Sequence, residues 1–209
     1  MNVGHSHKKT TRKKPSQTRA KDTVTAILEA SAHILTTSGY DTLTTNRVAT
    51  VAGVSIGSLY QYFSSKEEIV GELMDRYCDR MNALFGEVFL RAQGLSPREL
   101  TREVVSALYR AKAENPRLSR VLREHLPRLG RLDRLEESLR QITRVVGGYL
   151  TEHRALLRVQ EPERAAFYAV TTCDGLTMAS IANGEDPETA IAEIADIVSR
   201  YLFRDAKTR

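Results

Sequence analysis

Cysteine, aromatic residues and long apolar runs are all scarce in this chain, and each shortage removes a class of protein. Two cysteines, Cys78 and Cys173, stand far apart in helical contexts. They make a poor disulfide framework, and a reducing cytoplasm is the simplest home. No apolar run approaches the roughly 20 residues that cross a bilayer, so a membrane is not an expected partner. The start of the chain has no apolar h-region, so a secretory leader is not expected. The alternating pattern of a half-buried strand is missing throughout, as are internal repeats and low-complexity linkers. Acidic residues are absent from positions 1–21, which carry Lys8, Lys9, Arg12, Lys13, Lys14, Arg19 and Lys21.

The net charge of +5 is therefore concentrated at one end, and the rest of the chain is slightly acidic. Such an arm suits a polyanion; a solvated tail that aids solubility is the equal alternative. Over 209 residues, 41% hydrophobic and 27% charged content describe a soluble globular protein of one or two domains.

Period-3.6 patterning runs almost throughout and predicts an all-α fold. Val24, Ile27, Leu28, Ser31, Ile34 and Leu35 make one face of a first helix that Gly39 is placed to end. Thr44 or Thr45 can cap a short second helix ending near Ala52, and Ser55 a third over 56–63. A fourth runs from Lys66 and stops by Gly94. Ser96-Pro97-Arg98-Glu99 reads as a capping box for a helix reaching Asn115, where Pro116 restarts the chain. Pro127 and Gly130 predict a further break. A helix follows over 132–153, with Gly147-Gly148 as a weak spot. Pro162 opens an apolar helix reaching Ala182. "NGEDP" (183–187) then supplies a C-cap glycine, an N-cap aspartate and a first-turn proline for the last helix.

The stretch "AGVSIGSLYQYFSSKEE" (52–68) is the most informative. Two short helices cross steeply only if the first is small at the crossing, as at Ala49, and the turn accepts positive φ, as at Gly53. Val54, Leu59 and Phe63 supply inward anchors. That is a helix-turn-helix pattern whose second helix can enter a major groove. Gly57 lets the helix start approach a DNA backbone closely. Ser58 and Gln61 can reach base edges, Tyr62 can donate to a phosphate, and Lys66 adds a point charge. Tyr60, beside Phe63, reads as partly core.

The segment "TTNRVATVAGVSIGSLYQYFSSKEEIV" (44–70) resembles the DNA-binding signature of the TetR family of bacterial transcriptional regulators. The matching elements are the Thr-Thr cap, the Ala-Gly-Val-Ser turn, the Gly-Ser-Leu-Tyr helix start and Tyr-Phe before Ser-Lys-Glu. The resemblance implies a basic arm over 1–17, a three-helix DNA-binding domain over 18–65, and a helical ligand-binding and dimerisation domain over 66–209. It implies a homodimeric repressor on a palindromic double-stranded DNA operator, released by a small hydrophobic effector, with no cofactor. It places DNA contacts at Thr45, Ser55, Gly57, Ser58, Tyr60, Gln61, Tyr62 and Lys66. Ile56 stands where many members carry a polar or basic residue; it touches a thymine methyl or simply packs.

In the second half, Ala169, Cys173 and Ser180 on one helix and Ile191, Ile194, Val198 and Tyr201 on the next are expected at a four-helix dimer contact, with intrachain core as the alternative. Tyr109, Leu122, His125, Phe167, Asp174 and Met178 are expected to line an effector pocket. Asp174 on a dry face needs a partner: Thr171 or Thr177, or a cationic or donor group of the ligand. His5 and His7 lack further ligands for a metal. Cys173, Asp174 and His125 carry little weight as a catalytic trio, because a cysteine in an apolar helix is usually inert. The competing function is a constitutive DNA-binding or architectural protein whose second domain only dimerises.

Overall fold

A computed structural model describes residues 15–91, 94–125 and 132–204. Among them the chain is helical, without a strand: α1 Pro15–Ser38, α2 Thr45–Ala52, α3 Ile56–Tyr60, α4 Lys66–Arg91, α5 Pro97–Ala113, α6 Pro116–His125, α7 Leu132–Glu152, α8 Pro162–Asn183 and α9 Pro187–Leu202. It divides into two compact units at Ile69/Val70, inside α4. The expected break at Pro127 and Gly130 lies outside the described residues, as does most of the basic arm.

In the first unit α1 packs on α2, and α2 on α3. Ile27, Leu28, Ile34 and Leu35 of α1 are buried, as are Leu43, Val48, Ala49, Leu59, Phe63 and Ile69. Ser31 is fully buried on the same face, and its hydroxyl donates to Ile27 O at 2.8 Å, so it costs little there. Thr44, in extended conformation, caps α2 by accepting from Arg47 N at 3.2 Å. Gly53 ends it at φ 66° and ψ 29°. Its N–H bonds Thr50 O at 3.3 Å, and the next N–H, of Val54, returns to Ala49 O at 3.0 Å. This Schellman closure needs a left-handed residue, and glycine takes that conformation without Cβ strain.

α3 is shorter than the 56–63 expected. Leu59 O accepts from both Tyr62 N and Phe63 N at 3.0 Å, a tightened last turn. The chain then leaves the helix because Ser64 and Ser65 begin α4. Ser65 Oγ accepts from Glu68 N at 3.3 Å, while Glu68 reaches back to Ser64 N at 2.6 Å.

In the second unit α7 packs most extensively against α8, and α9 against α5 and α8. Their shared core takes in Phe85, Val105, Leu108, Ile142, Val146, Leu150, Ala166, Ala169, Cys173, Ile191, Ile194, Val198 and Leu202. The capping box at α5 is present, Ser96 Oγ accepting from Glu99 N and Glu99 from Ser96 N. Gly147-Gly148 do not weaken α7, which continues unbroken to Glu152. Packing against α8 offsets the roughly 1 kcal/mol that each glycine costs a helix. After α7 the chain forms a 3-10 turn at Arg154–Leu156. It then meets the C-terminal end of α9, where Arg158 N donates to Leu202 O and Arg204 N to Leu156 O, both at 3.0 Å.

Candidate nucleic-acid interface

The inward anchors of α3 are few, and that frees the rest of the segment. Leu59 is fully buried and Phe63 is 6% exposed, whereas Ile56, Tyr60 and Gln61 face outward. Ser55 caps α3 by accepting from Ser58 N at 3.0 Å, and its hydroxyl shares a 2.8 Å hydrogen bond with Ser58 Oγ. A Cβ on Gly57 would meet nothing within the chain closer than Ser55 Oγ at 3.9 Å. The interior therefore does not demand glycine at this position.

Tyr60 is not core. It is 53% exposed, and its hydroxyl lies 3.1 Å from Thr45 Oγ1, joining the start of α2 to the end of α3. Helical phase next to Phe63 suggested burial, but α3 ends at Tyr60, so that phase does not carry through. Tyr62 is half-buried, and no described residue bonds its hydroxyl. Lys66 Nζ sits 4.4 Å from the centre of the Tyr40 ring. The Tyr40 hydroxyl donates to Glu67 at 3.3 Å. Burial would raise the Glu67 pKa, but hydrogen bonds from its own backbone N–H, Ser65 and Tyr40, with the charge of Lys66, hold it below the ordinary value. Tyr40 and Arg47, whose guanidinium donates to Ser38 Oγ at 3.0 Å, were not singled out by the motif. The sequence signal for Tyr40 was an aromatic just after the Gly39 stop of α1.

The second unit moves several expected residues. Ala169, Cys173, Ser180, Ile191, Ile194 and Val198 are between 1% and 8% exposed. They are spent on the core of a single chain and offer a dimer partner no surface. Tyr201 is 39% exposed, and with it stand Phe167 at 55%, Tyr168 at 50% and Ile197 at 47%. Tyr168 meets Phe167 and Tyr201 edge to face, at centroid separations of 5.5 and 6.4 Å. An α8 that is apolar all round thus turns its small side inward and its aromatic side out, the reverse of the expected placement. Phe167 accordingly lines no interior pocket.

Of the other pocket candidates, Tyr109 and Leu122 are buried and Met178 is half-buried. The His125 side chain lies outside the described residues. Asp174 has neither of the threonines proposed for it. It pairs with Lys112 Nζ at 2.7 Å and with Arg123 at 2.8 Å. Burial alone would raise its pKa, but the two cations outweigh burial and hold it below the ordinary aspartate value. Lys112 is 2% exposed, with Tyr77 Oη at 3.3 Å as a further partner. It lies in phase with Val105, Leu108 and Tyr109 on the buried stripe of α5, a signal that a charge was being buried. Burial, helped by Asp174, pushes the Cys173 thiol up to about 12, so it is a poor nucleophile near neutrality.

An apolar cavity of about 50 Å³ does exist, but none of those candidates lines it. Phe85, Phe89, Val104, Tyr149, Val170 and Phe203 are among its walls, and no charged side chain lines it. Burial raises the Tyr149 phenol pKa. The aromatic ring of Tyr149 stacks on His153 at 4.1 Å.

Residues 27–73 match the family model described as bacterial regulatory proteins, tetR family. Residues 96–202 match that of the tetracyclin repressor-like C-terminal domain. The HTH-type transcriptional repressor KstR2 of Rhodococcus jostii is 31% identical over 87 residues, 42% of each chain. KstR of Mycolicibacterium smegmatis is 31% identical over 96 residues, 46% of each. The chain thus matches under half the length of these relatives. A TetR-family transcriptional regulator of Mesorhizobium loti superposes with a TM-score of 0.71 at 18% identity, covering 89% of this chain and 99% of that one. The fatty acid degradation regulator FadR of Bacillus halodurans does so at 0.68 and 16%, covering 90% and 96%. At these identities the structural likeness speaks for the fold alone.

Proposed function

The chain belongs to the TetR family of bacterial transcriptional regulators, and we propose that it is a homodimeric repressor of a palindromic operator, released by a small apolar effector. The observation that carries the DNA half of this reading is the outward face of α3. Gly57 there and Gln61 just past its end are exposed, half-buried Ser58 and Tyr62 accompany them, and Thr45 and Lys66 stand on the helices to either side. In this reading Tyr62 and Lys66 hold the phosphates and the α3 face reads bases. The KstR and KstR2 relatives are repressors by name, and repression is carried over from them.

Dimerisation is assigned to the outer faces of α8 and α9. Phe167, Tyr168, Ile197 and Tyr201 form an exposed aromatic and aliphatic group there, of the kind enriched at protein interfaces. The effector is assigned to the apolar cavity, which at about 50 Å³ must widen to admit one. Its uncharged walls favour a neutral, hydrophobic molecule, and the paired Asp174 no longer argues for a cationic one. Release then follows if the ligand binds the conformation unfit for the operator more tightly than the fit one. Selection from a randomised duplex library tests the reading. It should enrich an inverted repeat with half-sites one helical turn apart. Enrichment of single half-sites, or of none, would refute it.

A further inference from the structure

We propose that Ile56 and Gln61 are the base readers of this chain, and that they select A·T pairs: Ile56 by contact with a thymine 5-methyl group, Gln61 by pairing with adenine. This rests on the reading of α3 as the DNA-recognition helix. The argument proceeds by what each outward side chain has left to offer. The Ser55 and Ser58 hydroxyls are bonded to each other at 2.8 Å, and Ser55 also caps the helix. The Tyr60 hydroxyl is engaged by Thr45 at 3.1 Å. Gly57 has no side chain. The unbonded Tyr62 hydroxyl is assigned to a phosphate, which leaves Ile56 and Gln61 for the bases.

Gln61 is exposed, and no described residue bonds its amide, so both its donor and its acceptor are free. That pair matches adenine N6 and N7 in the major groove. Ile56 is the exposed aliphatic side chain of α3, at 38%, with Leu59 wholly buried. It has no donor or acceptor, and the apolar feature a base pair shows in the major groove is the thymine methyl. The two residues are five apart and, at 3.6 residues per turn, project about 140° from each other around the helix axis, so they address different base pairs. Each half-site should therefore hold two A·T pairs.

The test uses the full chain and the duplex enriched from a randomised library, with each thymine of one half-site replaced in turn by uracil. Losing one methyl contact should weaken binding about fourfold at a single position. Ile56→Ala, an exposed change that leaves Leu59 and Phe63 in place, should abolish that uracil effect and keep the adenine preference. Gln61→Ala should relax the adenine position and keep the uracil effect. Uracil tolerated at every thymine, or an uracil effect that survives Ile56→Ala, overturns the assignment while leaving DNA recognition intact. If the library yields no enriched sequence, the DNA reading fails, and this proposal with it.

Discussion

Replacing Asp174 by asparagine tests the account of the second unit most directly. The substitution keeps shape and removes the charge that faces Lys112 at 2.7 Å. Lys112 is 2% exposed and would retain only neutral partners, the amide oxygen and the Tyr77 hydroxyl at 3.3 Å. Stranding a buried charge costs about 3–5 kcal/mol. The lower end applies here, because the Arg123 partner is 43% exposed on its side chain and largely screened by water. About 3 kcal/mol corresponds to a midpoint lowered by about 6–12 °C in a chain of this size.

The companion variants sharpen the test. Lys112→Met should cost less than Asp174→Asn, since Asp174 keeps Arg123. The double change Lys112→Met with Asp174→Leu should lie within about 1 kcal/mol of the parent, because a buried ion pair seldom outperforms apolar residues of similar volume. Urea unfolding followed by circular dichroism, at one fixed protein concentration, compares the four proteins. Acid adds an independent check. The folded pKa of Asp174 is depressed, so its contribution is complete above the ordinary value near about 3.9 and disappears as pH falls through the folded value. Asp174→Asn should lack that acid-limb component. A variant as stable as the parent, with an unchanged acid limb, would refute the buried-pair reasoning.

Tyr62→Phe should weaken operator and unrelated DNA alike in gel-shift titrations, by the one phosphate hydrogen bond it removes, with sequence preference kept. Deleting residues 1–14 removes Lys8, Lys9, Arg12, Lys13 and Lys14 and should make the slope of log K against log salt shallower; an unchanged slope would mean the arm is idle. Ile197→Glu should yield a folded monomer by sedimentation, because this 47%-exposed side chain has no role in the core. Ile194→Arg, at 3% exposure, should unfold the chain instead.

What could be read from the sequence was what depends on near neighbours. Thr44, Ser55, Ser96 and Asp186 each cap a helix by accepting from an N–H three residues on, and Gly53 closes a turn with bonds to Ala49 and its neighbours. Such bonds are settled within one turn of chain, so the capped starts of these helices followed from local sequence alone. The facing of α8 did not, because its apolar residues leave no single phase to follow. Ala169 and Cys173 turned inward only because α7, α5 and α9 pack against that side. The partner of Asp174 was hidden for a related reason. Lys112 lies 62 positions nearer the N-terminus than Asp174, on a different helix, and only the fold brings the pair together.

The recognition segment was legible for the opposite reason, and the reason is physical. A five-residue helix held by Leu59, followed by Phe63, satisfies the interior with two side chains. Ser55, Ile56, Gly57, Tyr60 and Gln61 are then exposed and free of packing demands. Residues there are otherwise chosen only for capping or for an outside partner. Ser55 answers to the cap. Thr45 and Tyr60 hold each other across the two helices. Gly57, Ile56 and Gln61 have no such duty, and a glycine, an aliphatic and an amide left facing water together, beside the unbonded hydroxyl of half-buried Tyr62, gain nothing from solvent. A major groove, with its methyls, base edges and flanking phosphates, offers a use for each of them.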